Sequence, residues 1–196
     1  MKKETETRTK IMETAFRLFY EKGYSETGIN EILNDSSSYK KSFYTHFSSK
    51  TELGIMYIQS IEHELLNLTN RLLTKYSKFN DFLEAWLKII KRKLSKNYSL
   101  GCPLVNMPVN SSDLTKEVRS SFTKLKEPFI KYFLNHYKLS HKQAKEISEE
   151  ILFLYEGAMN SYKLDPNPRY FNYMEKFLNH IAKDLNSHDS TNSTSS

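Results

Sequence analysis

The stretch KKSFYTHFSSK, residues 40–50, combines three lysines, three aromatic side chains and one histidine, and it contains no acidic residue. Lysines can neutralise nucleic-acid phosphates, whereas serine, tyrosine and histidine can donate hydrogen bonds to phosphates or to base edges. The acid-free run extends from Ser36 to Thr51. The alternative is that these residues form only the solvated end of a helix, which is the commoner role of a charged run.

Two short helices are predicted to position this stretch. The first follows Thr27, a possible N-cap, and the polar run NDSSS at residues 34–38 ends it because these side chains compete for backbone hydrogen bonds. The second runs from about Tyr39 to Thr45 with Phe43 turned inward, and Phe47 closes the unit.

The inward position of Phe43 fixes what the second helix exposes. Helical geometry then turns Lys40, Lys41 and Tyr44 outward, and places Tyr39, Ser42 and His46 beside the same face. Lys50 begins the next helix, where its charge and the free backbone amides can bind a phosphate together.

The two short helices follow a longer predicted helix over about Thr5–Lys22, which Gly23 ends. A long first helix, a short helix, a tight polar turn and a second short helix form the layout of a helix-turn-helix. In that motif the second short helix enters the major groove of DNA.

The rest of the chain has helical rather than alternating periodicity, so the predicted fold class is all-α. Further helices are predicted over about Ser49–Tyr76, Asn80–Asn97, Val118–Phe133, Ser140–Tyr162 and Pro168–Leu185. Ser140 and Gln143 form a capping box at the start of one of them. The final residues contain no apolar side chain and are predicted to be disordered.

Composition restricts the function classes. The net charge of +6 permits binding to a polyanion without requiring it. One cysteine, no secretion signal and no apolar run of membrane-spanning length lead us to expect a cytoplasmic protein with no membrane partner. The six histidines share no metal-ligand spacing with Cys102, so no metal site is predicted. The sequence contains no nucleophile elbow and no Gly-rich phosphate loop, so no cofactor and no enzymatic activity are predicted.

The segment ETAFRLFYEKGYSETGINEIL followed by SFYTHFSSKTEL resembles the DNA-binding domain of TetR-family transcriptional repressors over about fifty residues. The resemblance implies that Thr27, Tyr44 and Lys50 hold phosphates and that Tyr39, Lys40, Lys41 and Ser42 approach bases. Its usual small-residue turn, Ala-Gly-Val-Ser, is replaced here by residues 36–39, Ser-Ser-Ser-Tyr. This departure concerns the operator sequence and not the fold.

The resemblance also implies a homodimer through about residues 141–164 and 168–185, an operator of double-stranded palindromic DNA and a small-molecule effector that releases it. The expected organisation is a helix-turn-helix domain over residues 1–48, with the motif at about 27–47, a helical effector-binding and dimerisation domain over 49–186, and a disordered tail over 187–196. The stretch GCPLVNM is similar to a branch of the family in which the cysteine of some members senses electrophiles.

Two interpretations of the second domain stay open. Aromatic and sulfur-containing residues at helical spacing can line an apolar effector pocket, although such stripes are more often plain core; the candidates are Trp86, Cys102, Met107, Phe122, Tyr155, Met159 and Tyr162. In the rival interpretation Cys102 is covalently modified as an electrophile or redox sensor. Less favoured alternatives are an all-α enzyme and a helical adaptor without DNA binding.

Overall fold

The computed structural model describes residues 2–94, 101–108 and 111–193, and in this part of the chain it contains eight α-helices and no strand. The helices are α1 (Lys2–Glu21), α2 (Ile29–Asp35), α3 (Lys40–His46), α4 (Lys50–Lys75), α5 (Phe79–Leu94), α6 (Ser112–Tyr137), α7 (His141–Leu164) and α8 (Arg169–Ser193). The predicted all-α class is confirmed.

The chain divides into two compact units. The first, which we call the head unit, comprises the residues up to His63 together with Pro103–Ser121. The second, the core unit, comprises Glu64–Cys102 and the residues from Phe122 onward. The division lies within α4 and not after residue 48, and it assigns the beginning of α6 to the head unit. The functional roles of the two predicted domains stay predictions.

The head unit is built on the apolar stripe of α1. Its buried side chains Ile11, Ala15, Leu18 and Phe19 recur at helical spacing. Helix α1 contacts both α2 and α3, and these two short helices contact each other. The head unit therefore has the three-helix arrangement that the sequence predicts.

The connection from α1 to α2 differs from the prediction in one detail. Gly23 adopts a φ of +93°, as expected for a glycine that ends a helix. Thr27 does not cap α2: it is buried, its hydroxyl donates to the carbonyl oxygen of Gly23 at 2.8 Å, and Gly28 occupies the N-cap position without a side-chain hydrogen bond. The threonine hydroxyl thus stabilises the turn and not the helix.

The core unit is centred on α5, which is apolar on two adjoining faces. Its buried side chains are Phe79, Phe82, Leu83, Trp86, Leu87 and Ile90. Aromatic rings of α6 pack against it, with the Phe82 and Phe129 centroids 5.6 Å apart and the Phe79 and Phe133 centroids 5.4 Å apart. The predicted helix end at Asn97 lies outside the described residues.

Two tyrosines of α6 fix the turn between α4 and α5. The backbone N–H of Phe79 donates to the Tyr137 hydroxyl at 2.7 Å, and the Tyr132 hydroxyl donates to the carbonyl oxygen of Ser77 at 2.9 Å. Burial raises the pKa of Tyr132, and the neighbouring Tyr137 raises it further. These hydroxyls therefore satisfy buried backbone groups of the turn.

The last two helices pair with each other. The predicted capping box is confirmed, since the N–H of Gln143 donates to Ser140 and the Ser140 N–H donates to the side chain of Gln143. Helix α8 continues to Ser193, beyond the predicted end at Leu185, so the tail predicted to be disordered from residue 187 begins as helix in the structure. Residues 194–196 lie outside the described part.

No described helix has the length and hydropathy needed to cross a membrane.

Candidate nucleic-acid interface

The turn between α2 and α3 has the geometry of a helix C-terminal Schellman motif. The Ser38 N–H donates to Leu33 O at 2.9 Å, and the Ser37 N–H donates to Asn34 O at 3.1 Å. Ser37 adopts a φ of +50°, in the left-handed region where glycine is the usual residue. Ser37 occupies the position of the glycine in the usual Ala-Gly-Val-Ser turn of the resembled family. The hydrogen bonds fix the direction in which α3 leaves the turn.

Helix α3 has one buried and one exposed face. Phe43 is inaccessible to solvent, as predicted, and its ring centroid lies 5.6 Å from that of the buried Phe47. Tyr39 and Tyr44 are 81% and 52% exposed, which is unusual for large aromatic side chains and leaves both rings available to a partner. Tyr39 occupies the N-cap position, so the helix begins one residue later than predicted.

The remaining predicted contact residues of α3 are distributed around this face. Lys40 and Lys41 are exposed, whereas Ser42 and His46 are half-buried. The structure therefore brings Tyr39, Lys40, Lys41 and Tyr44 together on an exposed surface, and places Ser42 and His46 at its borders. We call the exposed four the α3 surface.

The charges of the head unit leave the α3 surface positive. On α1 and its C-terminal turn, Arg17 is paired with Glu21 and Asp35, each at 2.8 Å, and Lys22 is paired with Glu31. These contacts raise the pKa of Arg17, chiefly through Asp35. Within the described residues, Lys40 and Lys41 have no ion pair. Lys40 and Lys41 thus give the α3 surface its positive charge.

The first turn of α4 contains a carboxylate that the sequence analysis overlooked. The N–H of Glu52 donates to Ser49 Oγ at 3.1 Å, and the Ser48 N–H and hydroxyl donate to Glu52 Oε2 at 2.7 and 2.8 Å. These donors lower the pKa of Glu52. The Ser-x-x-Glu spacing of residues 49–52 is a capping-box signal that could have predicted this arrangement.

The two other predicted phosphate contacts lie in different environments. Lys50 is the first residue of α4, is half-buried, and has its ammonium 4.2 Å from the centroid of the Tyr24 ring. Thr27 is fully buried with its hydroxyl bonded to Gly23, so the structure opposes the predicted side-chain contact between Thr27 and a phosphate.

The predicted effector residues do not form one site. Trp86 and Tyr155 pack together with centroids 5.4 Å apart, whereas Tyr162 packs on Phe171 at 5.4 Å. The partly buried Met159 lies against the same apolar core, and Phe122 is half-buried at the start of the core-unit part of α6. Met107 is buried in the head unit. Most of these side chains therefore belong to the apolar core, as expected if the aromatic stripes are plain core and not the lining of an effector pocket.

Cys102 has a partner that sequence reasoning missed. Its buried thiol hydrogen-bonds to the carboxyl group of Glu156 on α7, and the Asn160 side chain lies 3.5 Å from the same carboxyl group. Burial raises the pKa of Glu156 to about 7, an effect that the two hydrogen bonds reduce. The spacing Glu156–Asn160 was visible, but nothing in the sequence indicated that this glutamate is desolvated.

A shallow cavity of about 560 Å³ lies between the end of α4 and the start of α5. Its lining residues are Arg71, Leu72, Lys75, Tyr76, Asp81, Glu84, Ala85, Lys88 and Ile89. None of the predicted effector residues is among them.

Comparison with known proteins agrees with the fold and the head unit. Residues 11–54 match the family "Bacterial regulatory proteins, tetR family". A helix-turn-helix transcriptional regulator from Lactococcus lactis is 29% identical over 61% of this chain and 62% of its own length. The transcriptional repressor NemR of Escherichia coli is 26% identical over 63% of this chain and 64% of its own length. The chain thus covers less than two thirds of either relative.

Solved structures of similar fold cover more of the chain. A TetR-family regulator from Streptomyces coelicolor superimposes with a TM-score of 0.80 over 92% of this chain and 96% of its own, at 18% identity. The reduced form of E. coli NemR superimposes with a TM-score of 0.68 over 89% and 96%, at 20% identity. These similarities extend the shared fold from the head unit through the core unit.

Proposed function

We propose that this chain, which belongs to the tetR family of bacterial regulatory proteins, is a transcriptional repressor that reads operator DNA with α3. The observation that carries the proposal is the α3 surface: two exposed tyrosines and two exposed lysines on a short helix whose opposite face is anchored by Phe43. A helix of this kind fits the major groove, where lysines reach phosphates or guanine and tyrosines reach either phosphates or base edges.

The roles of the individual side chains follow from their positions. Tyr39, Lys40 and Lys41 lie at the N-terminal end of α3, the end that contacts base edges in helix-turn-helix proteins. Tyr44 lies one turn further, where its hydroxyl can donate to a phosphate, and Ser42 and His46 border the same surface. Lys50 supplies a phosphate contact from the start of α4.

This proposal is tested by selecting binding sites from a pool of random-sequence duplexes. We expect enrichment of a two-fold symmetric site whose half-sites lie about one turn of DNA apart, roughly 34 Å. Lys41→Ala should relax the preference for bases within each half-site. Lys78→Ala, which removes an exposed lysine between α4 and α5, is the matched control and should leave the selected site unchanged. Failure to enrich any sequence would contradict the proposal.

The proposed homodimer forms through α7 and α8. In support, the two helices carry large apolar side chains that the isolated chain leaves open to solvent, namely Phe153, Leu164, Tyr173 and Phe177. Phe153 is 77% exposed, and burial of such a side chain contributes about 1.5–3 kcal/mol. Tyr173 and Phe177 are four residues apart and therefore lie on the same face of α8.

Sedimentation velocity tests the dimer. Phe177→Glu should shift the protein to monomer at micromolar concentration, because it places a charge in the proposed interface. Asn179→Glu adds the same charge at an exposed position on the other side of the buried Leu178, and it should leave the dimer intact. Equal sedimentation of the two variants would refute this interface.

The proposed mechanism of release is a population shift. An effector that binds more tightly to a state with a different separation of the two α3 helices releases the operator, and the coupling cannot exceed its differential affinity. Helix α4, whose residues are shared between the head unit and the core unit, is one candidate connector. The structure adds α6 as a second candidate, because within the head unit Ser121 donates to the buried Glu62 at 2.6 Å and Gln59 donates to Glu117 at 2.9 Å.

Trp86 provides a direct assay for effectors, since it is the single tryptophan of the chain. A compound that enters the aromatic core beside Tyr155 should quench the Trp86 fluorescence and release DNA over the same concentration range. Compounds that quench without releasing DNA would identify a binding site that is uncoupled from α3.

A second candidate function is an electrophile or redox sensor acting through Cys102, as the sequence analysis also considers. The observation that favours it is the likeness to a solved NemR structure described as a reduced form. Burial of the Cys102 thiol beside the Glu156 carboxyl group opposes the sensor function, because neither burial nor a carboxyl group stabilises a thiolate. If N-ethylmaleimide releases DNA from the wild type and not from Cys102→Ser, the sensor is supported; equal responses would exclude it.

A further inference from the structure

Tyr24 lies directly behind the proposed phosphate contact at Lys50. The Lys50 ammonium is 4.2 Å from the centroid of the Tyr24 ring, and the ring is itself supported by Phe19, whose centroid is 5.0 Å away. An ammonium at this distance from the face of an aromatic ring is attracted by the ring quadrupole. The tyrosine therefore restricts where the end of the flexible lysine stem can lie.

The backbone of α4 also shapes the position of the Tyr24 ring. A Cβ atom at Gly54 would lie 2.7 Å from Cε2 of Tyr24, which is closer than Cβ atoms pack, and 3.3 Å from Cδ2, which is a tight contact. Glycine at this position thus gives the ring its space, one helical turn after Lys50. The ring is held between the buried Phe19 and the first turns of α4.

The environment of Lys50 shows that this contact has a cost in the free protein. Burial lowers the pKa of Lys50, and the charge of Glu26 opposes this effect. In the described part of the chain no carboxylate forms an ion pair with the Lys50 ammonium, and Glu26 acts on it only through its charge. A phosphate at the start of α4 would supply the missing negative charge.

We propose that Tyr24 is a positioning residue for DNA binding: its ring holds the Lys50 ammonium at the start of α4, ready for a backbone phosphate. The proposal rests on the proposed DNA-binding function. Binding normally requires a free lysine side chain to become ordered, and that ordering weakens affinity. Contact with the Tyr24 ring orders the Lys50 side chain in advance, so less conformational freedom is lost when DNA binds.

A double-mutant cycle measured by fluorescence anisotropy on DNA from upstream of the chain's own gene tests this role. Tyr24→Leu should weaken binding about five- to tenfold, whereas Tyr24→Phe keeps the ring and should stay within about twofold of the wild type. Lys50→Met removes the ammonium from both protomers of the proposed dimer and should lower the slope of log affinity against log salt by about 1.8. In the Lys50→Met background, Tyr24→Leu should cause no further loss.

Comparing the effect of Tyr24→Leu in the wild type and in Lys50→Met distinguishes a positioning role of Tyr24 from a merely structural one. If Tyr24→Leu weakens binding equally with and without Lys50, the ring supports only the fold and the proposal is overturned. Should the leucine variant fail to fold by thermal denaturation, Tyr24→Met fills similar volume without a ring and enters the same cycle. Absence of salt-dependent binding by the wild type would overturn the proposed function as well, and is thus distinguishable from equal losses in the two backgrounds.

Discussion

Replacement of Glu156 by glutamine should remove a pH-dependent loss of stability from the core unit. Burial raises the pKa of this carboxyl group from its ordinary value of 4.5 to about 7. Between pH 4.5 and about pH 7, the folded protein holds a proton on Glu156 that the unfolded chain has lost. The unfolded state binds fewer protons, so the free energy of unfolding falls as pH rises.

The size of the effect follows from the same two values. The gap between 4.5 and about 7 corresponds to about 3 kcal/mol, which is fully lost above the folded-state pKa. Glutamine is uncharged at every pH and can keep hydrogen bonds to Cys102 and Asn160. The variant should therefore match the wild type near pH 4.5 and exceed its stability by about 3 kcal/mol at pH 8.

Urea denaturation from pH 4.5 to pH 8, followed by Trp86 fluorescence, measures this difference. Trp86 packs on Tyr155, the residue before Glu156, so its emission reports on the relevant part of the core unit. Protein concentration must be constant because dimerisation adds to apparent stability. Glu150→Gln, at an exposed position on the same helix, is the control and should show the wild-type pH dependence. Parallel pH curves for Glu156→Gln and the wild type would refute the reasoning.

Three further substitutions test local features of the fold. Ser37→Gly should raise the unfolding free energy by up to about 1 kcal/mol, because serine is strained at a φ of +50°; a drop in thermal midpoint would contradict this. Tyr137→Phe should lower it by about 1–3 kcal/mol in urea denaturation, since the buried N–H of Phe79 loses its acceptor, and an unchanged midpoint would show that the bond is dispensable. Ser121→Ala should cost about 1–3 kcal/mol by depriving the buried Glu62 of a donor, whereas Ser120→Ala, at a half-buried neighbouring site, should cost less.

Local and periodic signals predicted most of the fold. The capping box at Ser140 and the apolar stripe of α1 depend on residues within a few positions of each other, so they could be found without tertiary information. Phe43 was assigned inward because helical spacing allowed only one face of α3 to be apolar. From that single assignment the exposed positions of Lys40 and Lys41 followed.

Features that depend on distant contacts were missed. The beginning of α6 belongs to the head unit, where Ser121 and Glu117 form hydrogen bonds with side chains of α4 that lie 59 and 58 positions earlier. The burial of Glu156 and its hydrogen bond to Cys102, a residue from a distant part of the chain, depend on tertiary packing. Thr27 was assigned as a cap because threonine favours N-caps, but its hydroxyl found a nearer acceptor at Gly23.

Binding of the wild type to DNA from upstream of its own gene, measured by anisotropy across a salt series, tests the central claim most directly. The account predicts sequence-selective binding that weakens steeply with salt. Lys41→Ala should weaken binding and relax the preference for bases within each half-site, and Tyr44→Phe should weaken binding by loss of a hydroxyl contact. Weak binding that is indifferent to sequence, to salt and to both substitutions would contradict DNA reading by the α3 surface.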